Sequence, residues 1–234
     1  YYWFKIKQEA KIITEKKNRD EALKYIETNF RNIKNPSTKV LFDLATIYKN
    51  SKKYDKAIDL YTSVMNLTEK DSLNYADLLY RRGGSFERIG EYEKSDKDLL
   101  DALKLIPNNS YVLNYLAYSW LERNQDVNKA ILMLEKAYKE NENDPYIIDS
   151  VGWGYFLTGK YKDAEKYMRR ALELMPDDPI VNDHYGDILW KLNRKIQAQY
   201  FWNRVLKMED AEKEIIEKIK VKLIKGLSKN NENS

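Results

Sequence analysis

Small residues recur through this 234-residue chain at a nearly constant interval. One series, spaced by 35, 38, 35, 34 and 34 residues, consists of Ala22, Ala57, Ser95, Ala130, Ala164 and Ala198. A second series keeps the same phase and consists of Ala10, Ala45, Gly83, Ala117, Gly152 and Gly186. A period near 34 residues indicates a stack of similar supersecondary units, each too small to bury a core without its neighbours.

Each unit is predicted to hold two helices. Apolar residues recur at three- and four-residue spacing, and strand-like alternation is absent. Asp144-Pro145 and Asp178-Pro179 each predict an N-capping Asp followed by Pro at the first helical position. The turns between the two helices of a unit are predicted at Gly90, Gly159 and Asn193. The recurring small residues are expected where two helices cross closely.

The most regular unit runs from Pro145 to Asp178, and its spaced residues match the signature of a known family: Val151, Gly152, Tyr155, Gly159, Tyr161, Ala164, Met168, Ala171 and Pro176. On these residues the chain resembles the tetratricopeptide repeat (TPR) family. The resemblance implies an all-α, right-handed α-solenoid of about six helix-turn-helix repeats with a C-terminal capping helix. We expect a single solenoid over residues 1–227, with repeats near 3–37, 38–75, 76–109, 110–144, 145–178 and 179–210, a capping helix over 211–227 and a disordered tail over 228–234.

Two intervals depart from the period. Four extra residues fall near Thr68 to Asn74, where Asp71 or Ser72 could cap a helix that starts early. One extra residue falls in the turn between Arg123 and Asn128.

The capping helix is predicted to be amphipathic. We expect Ile215, Ile216, Ile219, Leu223 and Leu227 on its buried side, and we expect its solvent side to carry Lys213, Lys220, Lys222 and Lys225.

The family resemblance implies that the first helix of each repeat lines a concave groove. Reading the groove-facing positions of the last three repeats, with their neighbours, gives a candidate partner-binding set: Asn114, Tyr118, Asp149, Trp153, Asp183, His184, Asp187 and Trp190. Tyr111, Tyr146 and Phe156 lie nearby. Aromatic rings supply rigid contact area, and carboxylates accept hydrogen bonds from amides or from Lys and Arg. The set therefore predicts recognition of an extended partner segment.

The first helices of the N-terminal half offer Lys7 and Lys11. Some TPR proteins hold a peptide carboxylate with such a Lys pair. Here Asp43 and Asp77 stand at the matching positions of the next two helices, and they would repel a carboxylate. We therefore do not expect that clamp.

A purely structural role is the alternative for each candidate. Carboxylates such as Asp149, Asp183 and Asp187 could be solvated or locally hydrogen-bonded, and Trp153 and Tyr118 could pack on the neighbouring repeat. Six further aromatic residues are expected between helices: Tyr48, Tyr61, Phe86, Trp120, Tyr155 and Trp202. We expect no metal site at Asp183 and Asp187, no catalytic site at His184, and no cofactor.

The amino-acid composition excludes several kinds of site and partner. The chain has no Cys, which excludes a disulfide framework, a Cys-ligated zinc site and a thiol nucleophile. Its net charge of +4 is dispersed, so a nucleic-acid partner is not expected. The mostly apolar stretch Tyr111 to Leu121 is shorter than the roughly 20 residues of a membrane span. We predict a non-catalytic scaffold that binds a protein or peptide partner.

A second hypothesis concerns the cell envelope. The segments around Trp153 and His184 resemble a bacterial envelope-associated subgroup of repeat proteins. The alternative function is recognition of a glycan or peptidoglycan fragment by an envelope protein, since stacked Tyr and Trp rings with carboxylates also hold sugars. The chain begins with Tyr1 rather than Met, so its natural start is expected upstream, and whether that start includes a signal peptide or an anchor is left open. The location is accordingly left open between the cytoplasm and the envelope. Self-association through the convex face or the cluster Tyr1, Tyr2, Trp3 and Phe4 is also left open, and missing upstream structure is the other expected neighbour of that cluster.

Overall fold

A computed structural model describes residues 1–227 of the chain. This part consists of thirteen α-helices and contains no strand. The helices are α1 Tyr2–Lys16, α2 Arg19–Phe30, α3 Thr38–Asn50, α4 Tyr54–Met65, α5 Leu73–Arg88, α6 Tyr92–Leu105, α7 Ser110–Glu122, α8 Val127–Glu140, α9 Pro145–Leu157, α10 Tyr161–Leu174, α11 Pro179–Lys191, α12 Lys195–Val205 and α13 Lys213–Lys225. The predicted disordered tail, 228–234, lies outside the described residues.

The helices form two compact units. Unit 1 runs from Tyr1 to Pro107 and holds α1 to α6, and unit 2 begins at Asn108 and holds α7 to α13. In each unit the two helices of every predicted repeat pack on each other. The second helix also packs on the next first helix at α4 and α5, at α8 and α9, and at α10 and α11. The all-α repeat fold is therefore confirmed, while the single solenoid over 1–227 stays a prediction.

The predicted caps and turns are present. Asp144 accepts hydrogen bonds from the backbone N–H groups of Tyr146 and Ile147, and Asp178 accepts the equivalent pair at the start of α11. Gly90, Gly159 and Asn193 all adopt positive φ, between 61° and 80°. That left-handed conformation ends the first helix of a repeat and redirects the chain into the second.

Both irregular intervals have a local structural cause. Helix α5 begins at Leu73 and is 16 residues long, against 13 for α9 and α11, so the extra residues lengthen its first turn. Ser72, and not Asp71, caps it by accepting a hydrogen bond from the N–H of Tyr75. In the fourth repeat the longer turn places both Asn124 and Asp126 at positive φ.

Replacing Ser72 by Ala is expected to destabilise unit 1 by about 1 kcal/mol, because the N–H of Tyr75 loses its acceptor. Urea unfolding followed by circular dichroism measures the change. Asp71→Ala is the matched control and should leave stability within about 0.5 kcal/mol. Equal losses in both variants would contradict the assignment of the cap.

The small residues allow close helix crossings, as predicted. Ala57, Ala130, Ala164 and Ala198 are fully buried. A side chain on Gly186 would overlap the indole of Trp202, which lies directly on the backbone of α11. Of the predicted core aromatics, Tyr61, Trp120 and Trp202 are buried, while Tyr48, Phe86 and Tyr155 are half-buried.

Trp3 belongs to the core of unit 1. Its ring packs edge-on against Phe30, and its indole N–H donates to Asp43 at 3.0 Å. Tyr1, Tyr2 and Phe4 are exposed. The expectation that all four aromatic residues face missing structure or a second copy is therefore wrong for Trp3, because α3 supplies its polar partner.

Candidate partner-binding surface

The structure brings the eight candidate residues onto three first helices of unit 2. Asn114 and Tyr118 lie on α7, Asp149 and Trp153 on α9, and the other four on α11. Helix α9 contacts both α7 and α11, and α13 adds a fourth helix beside α11. We call the face that carries these eight side chains the groove surface.

His184 occupies a buried polar site between α9 and α11. Its Nδ1 lies 2.9 Å from a carboxylate oxygen of Asp149, which accepts the ring proton. The imidazole stacks on the indole of Trp153, with ring centroids 3.9 Å apart. Burial lowers the pKa of His184, but the charge and hydrogen bond of Asp149 outweigh it and raise that pKa above its ordinary value. The protonated ring is thereby favoured, and it also interacts with the Trp153 π-face.

Lys222 of α13 lies between two carboxylates of α11. Its Nζ is 2.6 Å from Asp183 Oδ1 and 2.8 Å from both carboxylate oxygens of Asp187. The Trp202 indole also donates to Asp187 at 3.0 Å. Burial raises the pKa of Asp187 to about 6, although the charge of Lys222 acts in the opposite direction. Burial lowers the pKa of Lys222 itself, and the two carboxylates reverse the shift, leaving it raised.

The prediction that Lys222 faces solvent is wrong. Only 16% of its side chain is exposed, whereas Lys213, Lys220 and Lys225 are exposed as expected. The amphipathic pattern places residue 222 near the border of the polar face, and the two buried carboxylates of α11 attract the ammonium group inward. The capping helix is thus held by charge as well as by Ile219.

The two members of each such polar pair are separated in sequence by about the length of one repeat. Asp149 and His184 are 35 residues apart, as are Asp187 and Lys222, and in unit 1 Lys7 pairs with Asp43 at an interval of 36. Two of the pairs join the first helices of adjacent repeats, and the Asp187–Lys222 pair joins the last first helix to the capping helix. Opposite charges about one repeat apart are a signal available in the sequence, and this signal makes Lys222 a candidate ion-pair partner of Asp187.

Other parts of the groove surface have different surroundings. Trp190 packs against Trp202, with ring centroids 5.3 Å apart, and touches the backbone of Gly226. Trp153 donates its indole N–H to Glu122 at 2.7 Å. The side-chain oxygen of Asn114 is buried and has no hydrogen-bond partner among the described residues.

An exposed apolar row borders the groove surface. Tyr111, Tyr146 and Ile180 are 53%, 65% and 47% exposed, and each is the second residue of its helix, α7, α9 or α11. Their spacing of 35 and 34 residues is that of the repeats. The row therefore offers similar contacts on three adjacent helices.

A metal-binding cluster and a membrane-spanning helix are both absent from residues 1–227. This part of the chain contains no group of three or more His, Asp or Glu side chains placed to hold a metal ion. None of its helices has the length and apolar character needed to span a membrane.

Comparison with known proteins identifies the family. A tetratricopeptide repeat family model matches residues 6–211. The chain is 36% identical over 111 residues to the TPR repeat-containing protein PA4667 of Pseudomonas aeruginosa, and this match covers 47% of the chain and 19% of that relative. The chain therefore spans only about a fifth of the length of that curated relative.

Two solved structures share the fold. TTC0263, a thermophilic TPR protein in Thermus thermophilus, is 17% identical with a TM-score of 0.68, covering 80% of this chain and 100% of its own. A tetratricopeptide repeat protein from Parabacteroides merdae is 18% identical with a TM-score of 0.67, covering 94% of this chain and 86% of its own. With the family model matched over most of the sequence, the chain belongs to the tetratricopeptide repeat family.

Proposed function

We propose that unit 2 binds an extended segment of a partner protein across α7, α9 and α11. TPR domains generally mediate protein–protein interaction, which supports binding as the class of function. The observation that carries the proposal is the exposed row of Tyr111, Tyr146 and Ile180 beside the groove surface. Exposed aromatic side chains at regular spacing are costly to leave in water and are frequent anchors of interfaces.

The distance between adjacent helices suits a partner segment in an extended conformation. Adjacent helices in such packing lie about 8–10 Å apart, and an extended segment advances about 3.3 Å per residue. About every third partner residue would therefore meet the next helix. Apolar partner side chains would contact the exposed row.

This proposal reassigns part of the candidate set. Asp149, Asp183 and Asp187 are already engaged by His184 and Lys222. We propose that these carboxylates hold α9, α11 and α13 in register and that Trp153, whose ring is stacked on both faces, has the same structural role. Asn114 and Tyr118 with the exposed row then contact the partner.

The role is proposed to be non-catalytic. His184 is the single histidine of the chain, and its Nδ1 is used by Asp149 while its ring is stacked on Trp153. It is thus placed as a structural hydrogen-bond donor between α9 and α11. A glycan ligand is a weaker fit, because the Trp153 ring is stacked on both His184 and Phe156 and the nearby carboxylates are already paired.

The test is capture of partners by purified variants. Replacing both Tyr111 and Tyr146 by Ala is expected to reduce specific capture by about tenfold or more, because aromatic anchors dominate interface energies. Proteins retained from a lysate are quantified by mass spectrometry. Ile196→Ala with Tyr200→Ala removes two exposed side chains from α12 and is the matched control.

Equal melting of both double variants by circular dichroism checks that folding is unchanged. If the Tyr111 and Tyr146 variant retains the same proteins in the same amounts as the control, the proposed surface is wrong.

A further inference from the structure

The lengthened α4–α5 connection forms one side of a cleft in unit 1. This connection, 66–72, is seven residues long, against four at 141–144 and at 175–178, and its Lys70 lines the cleft. Its other walls are α5 and α6. The cleft has a volume of about 480 Å³, which is in the range of sites that hold a small ligand or a few side chains. No part of it belongs to the groove surface of unit 2.

The walls of this cleft are strongly basic. Five cations line it, Lys70, Arg82, Lys94, Lys97 and Lys104, against two carboxylates, Asp98 and Asp101. Residues 36–109, which contain the whole cleft, carry twelve Lys and Arg and twelve Asp and Glu. The excess of positive charge in the cleft therefore arises because the fold gathers Lys and Arg side chains there, and not because this stretch of sequence is basic. We call this site the basic cleft.

The cations differ in their partners. Arg82 forms two hydrogen bonds, of 2.7 and 2.8 Å, with the buried carboxylate of Asp98 and is neutralised. Lys94 and Lys104 pair with Glu91 and Asp101, and such exposed pairs between close neighbours in sequence are weak. Within residues 1–227, Lys70 and Lys97 have no hydrogen bond or ion pair.

An apolar wall completes the cleft. The ring of Phe86 lies 5.7 Å from the guanidinium of Arg82 and 5.6 Å from the ammonium of Lys94. Leu79, Leu105 and the ring of Tyr75 also line the site. The cleft can thus receive an apolar side chain while its rim pairs with negative charge.

We propose that the basic cleft binds an acidic segment of a partner protein. Two carboxylates of the segment would pair with Lys70 and Lys97, and an apolar residue between them would contact Phe86. Charge complementarity argues for an acidic occupant, because Arg82, Lys94 and Lys104 already have carboxylate partners while Lys70 and Lys97 have none within residues 1–227. The apolar wall argues for a peptide over a bare inorganic anion, which would make no use of it.

Fluorescence anisotropy with a labelled peptide, Asp-Glu-Leu-Phe-Glu-Asp, tests the proposal on the full chain. Replacing Lys70 and Lys97 together by Glu is expected to weaken binding by about tenfold or more. Lys162→Glu with Lys166→Glu, two exposed residues of α10, makes the same change in net charge in unit 2 and should leave the affinity within about twofold.

Competition with two unlabelled ligands tests whether the cleft prefers an acidic peptide to a neutral peptide or to an inorganic anion. The neutral peptide Asn-Gln-Leu-Phe-Gln-Asn should not displace the probe, and inorganic pyrophosphate should compete only weakly. The proposal is overturned if the α10 variant weakens binding as much as the cleft variant, if the neutral peptide competes equally, or if pyrophosphate displaces the probe better than unlabelled acidic peptide. Because the groove variants leave this cleft intact, failure here would not affect the function proposed for unit 2.

Discussion

Truncating Trp202 to Ala is expected to destabilise unit 2 by about 3–5 kcal/mol, the usual range for a fully buried large aromatic side chain. The indole fills the space over Gly186, where α11 and α12 cross, and it contacts Trp190. Its N–H also donates to Asp187, so the variant combines a cavity with a lost hydrogen bond to a buried carboxylate.

Urea unfolding followed by tryptophan fluorescence measures this loss, because four of the five Trp residues lie in unit 2. Trp202→Phe keeps most of the ring volume and removes the N–H, so its loss should be smaller. Tyr200→Ala, on the exposed side of the same helix, should cost less than about 0.5 kcal/mol. A Trp202→Ala loss no larger than that of Tyr200→Ala would refute the close crossing at Gly186.

Replacing Lys222 by Met is expected to cost about 3–5 kcal/mol near pH 8, since two buried carboxylates lose the cation between them. The effect should be reversed largely when Asp183 and Asp187 are changed to Asn in the same chain, because the neutral amides no longer need a cation. Lys220→Met is the matched control on α13, since its exposed pair with Glu217 contributes little.

The cost of Lys222→Met should fall at lower pH. Burial raises the pKa of Asp187 to about 6 from an ordinary value of 3.8, and Lys222 opposes that rise, so removing Lys222 raises the pKa further. Between about pH 4 and the raised pKa, Asp187 is therefore protonated in the folded variant and ionised in the unfolded chain, so folding takes up a proton. Stability of the variant relative to wild type should thus decrease as pH rises from 5 to 8.

His184 also has a raised pKa, so its contribution is complete below about pH 6.5 and is lost as pH rises through the folded value. The Asp149–His184 pair is present in both wild type and Lys222→Met. The difference in unfolding free energy between these two proteins at each pH therefore cancels most of the contribution of His184. A cost of Lys222→Met that is independent of pH would show that Asp187 does not titrate as described.

The repeat period was sufficient to predict the helix pairs, their turns and their close crossings. Gly90, Gly159 and Asn193 mark positions that need a left-handed backbone, and few residue types tolerate it. Gly186 marks a place where a side chain would collide with Trp202, and Gly152 marks one where a side chain would lie tightly, 3.2 Å from Met168. Each of these turns and crossings involves residues of one repeat only, so the required Gly or Asn can be recognised in the sequence without knowing how the repeats pack.

The candidate site was predicted less completely. Spacing was enough to place Asn114, Asp149 and Asp183 on adjacent first helices. It did not show that the two Asp residues are already paired. A helix advances about 100° per residue, so a small rotation of α11 or α13 decides whether Lys222 meets Asp187 or solvent.

The sequence by itself thus determined the fold class, the caps at Asp144 and Asp178 and the helices that carry the groove surface, because each follows from local backbone preference or from the period. Only the tertiary structure decided which carboxylates are paired, that Lys222 is buried, and that Lys70 and Lys97 share a cleft with Phe86. These features depend on the relative rotation and spacing of helices, to which side chains from different repeats contribute together.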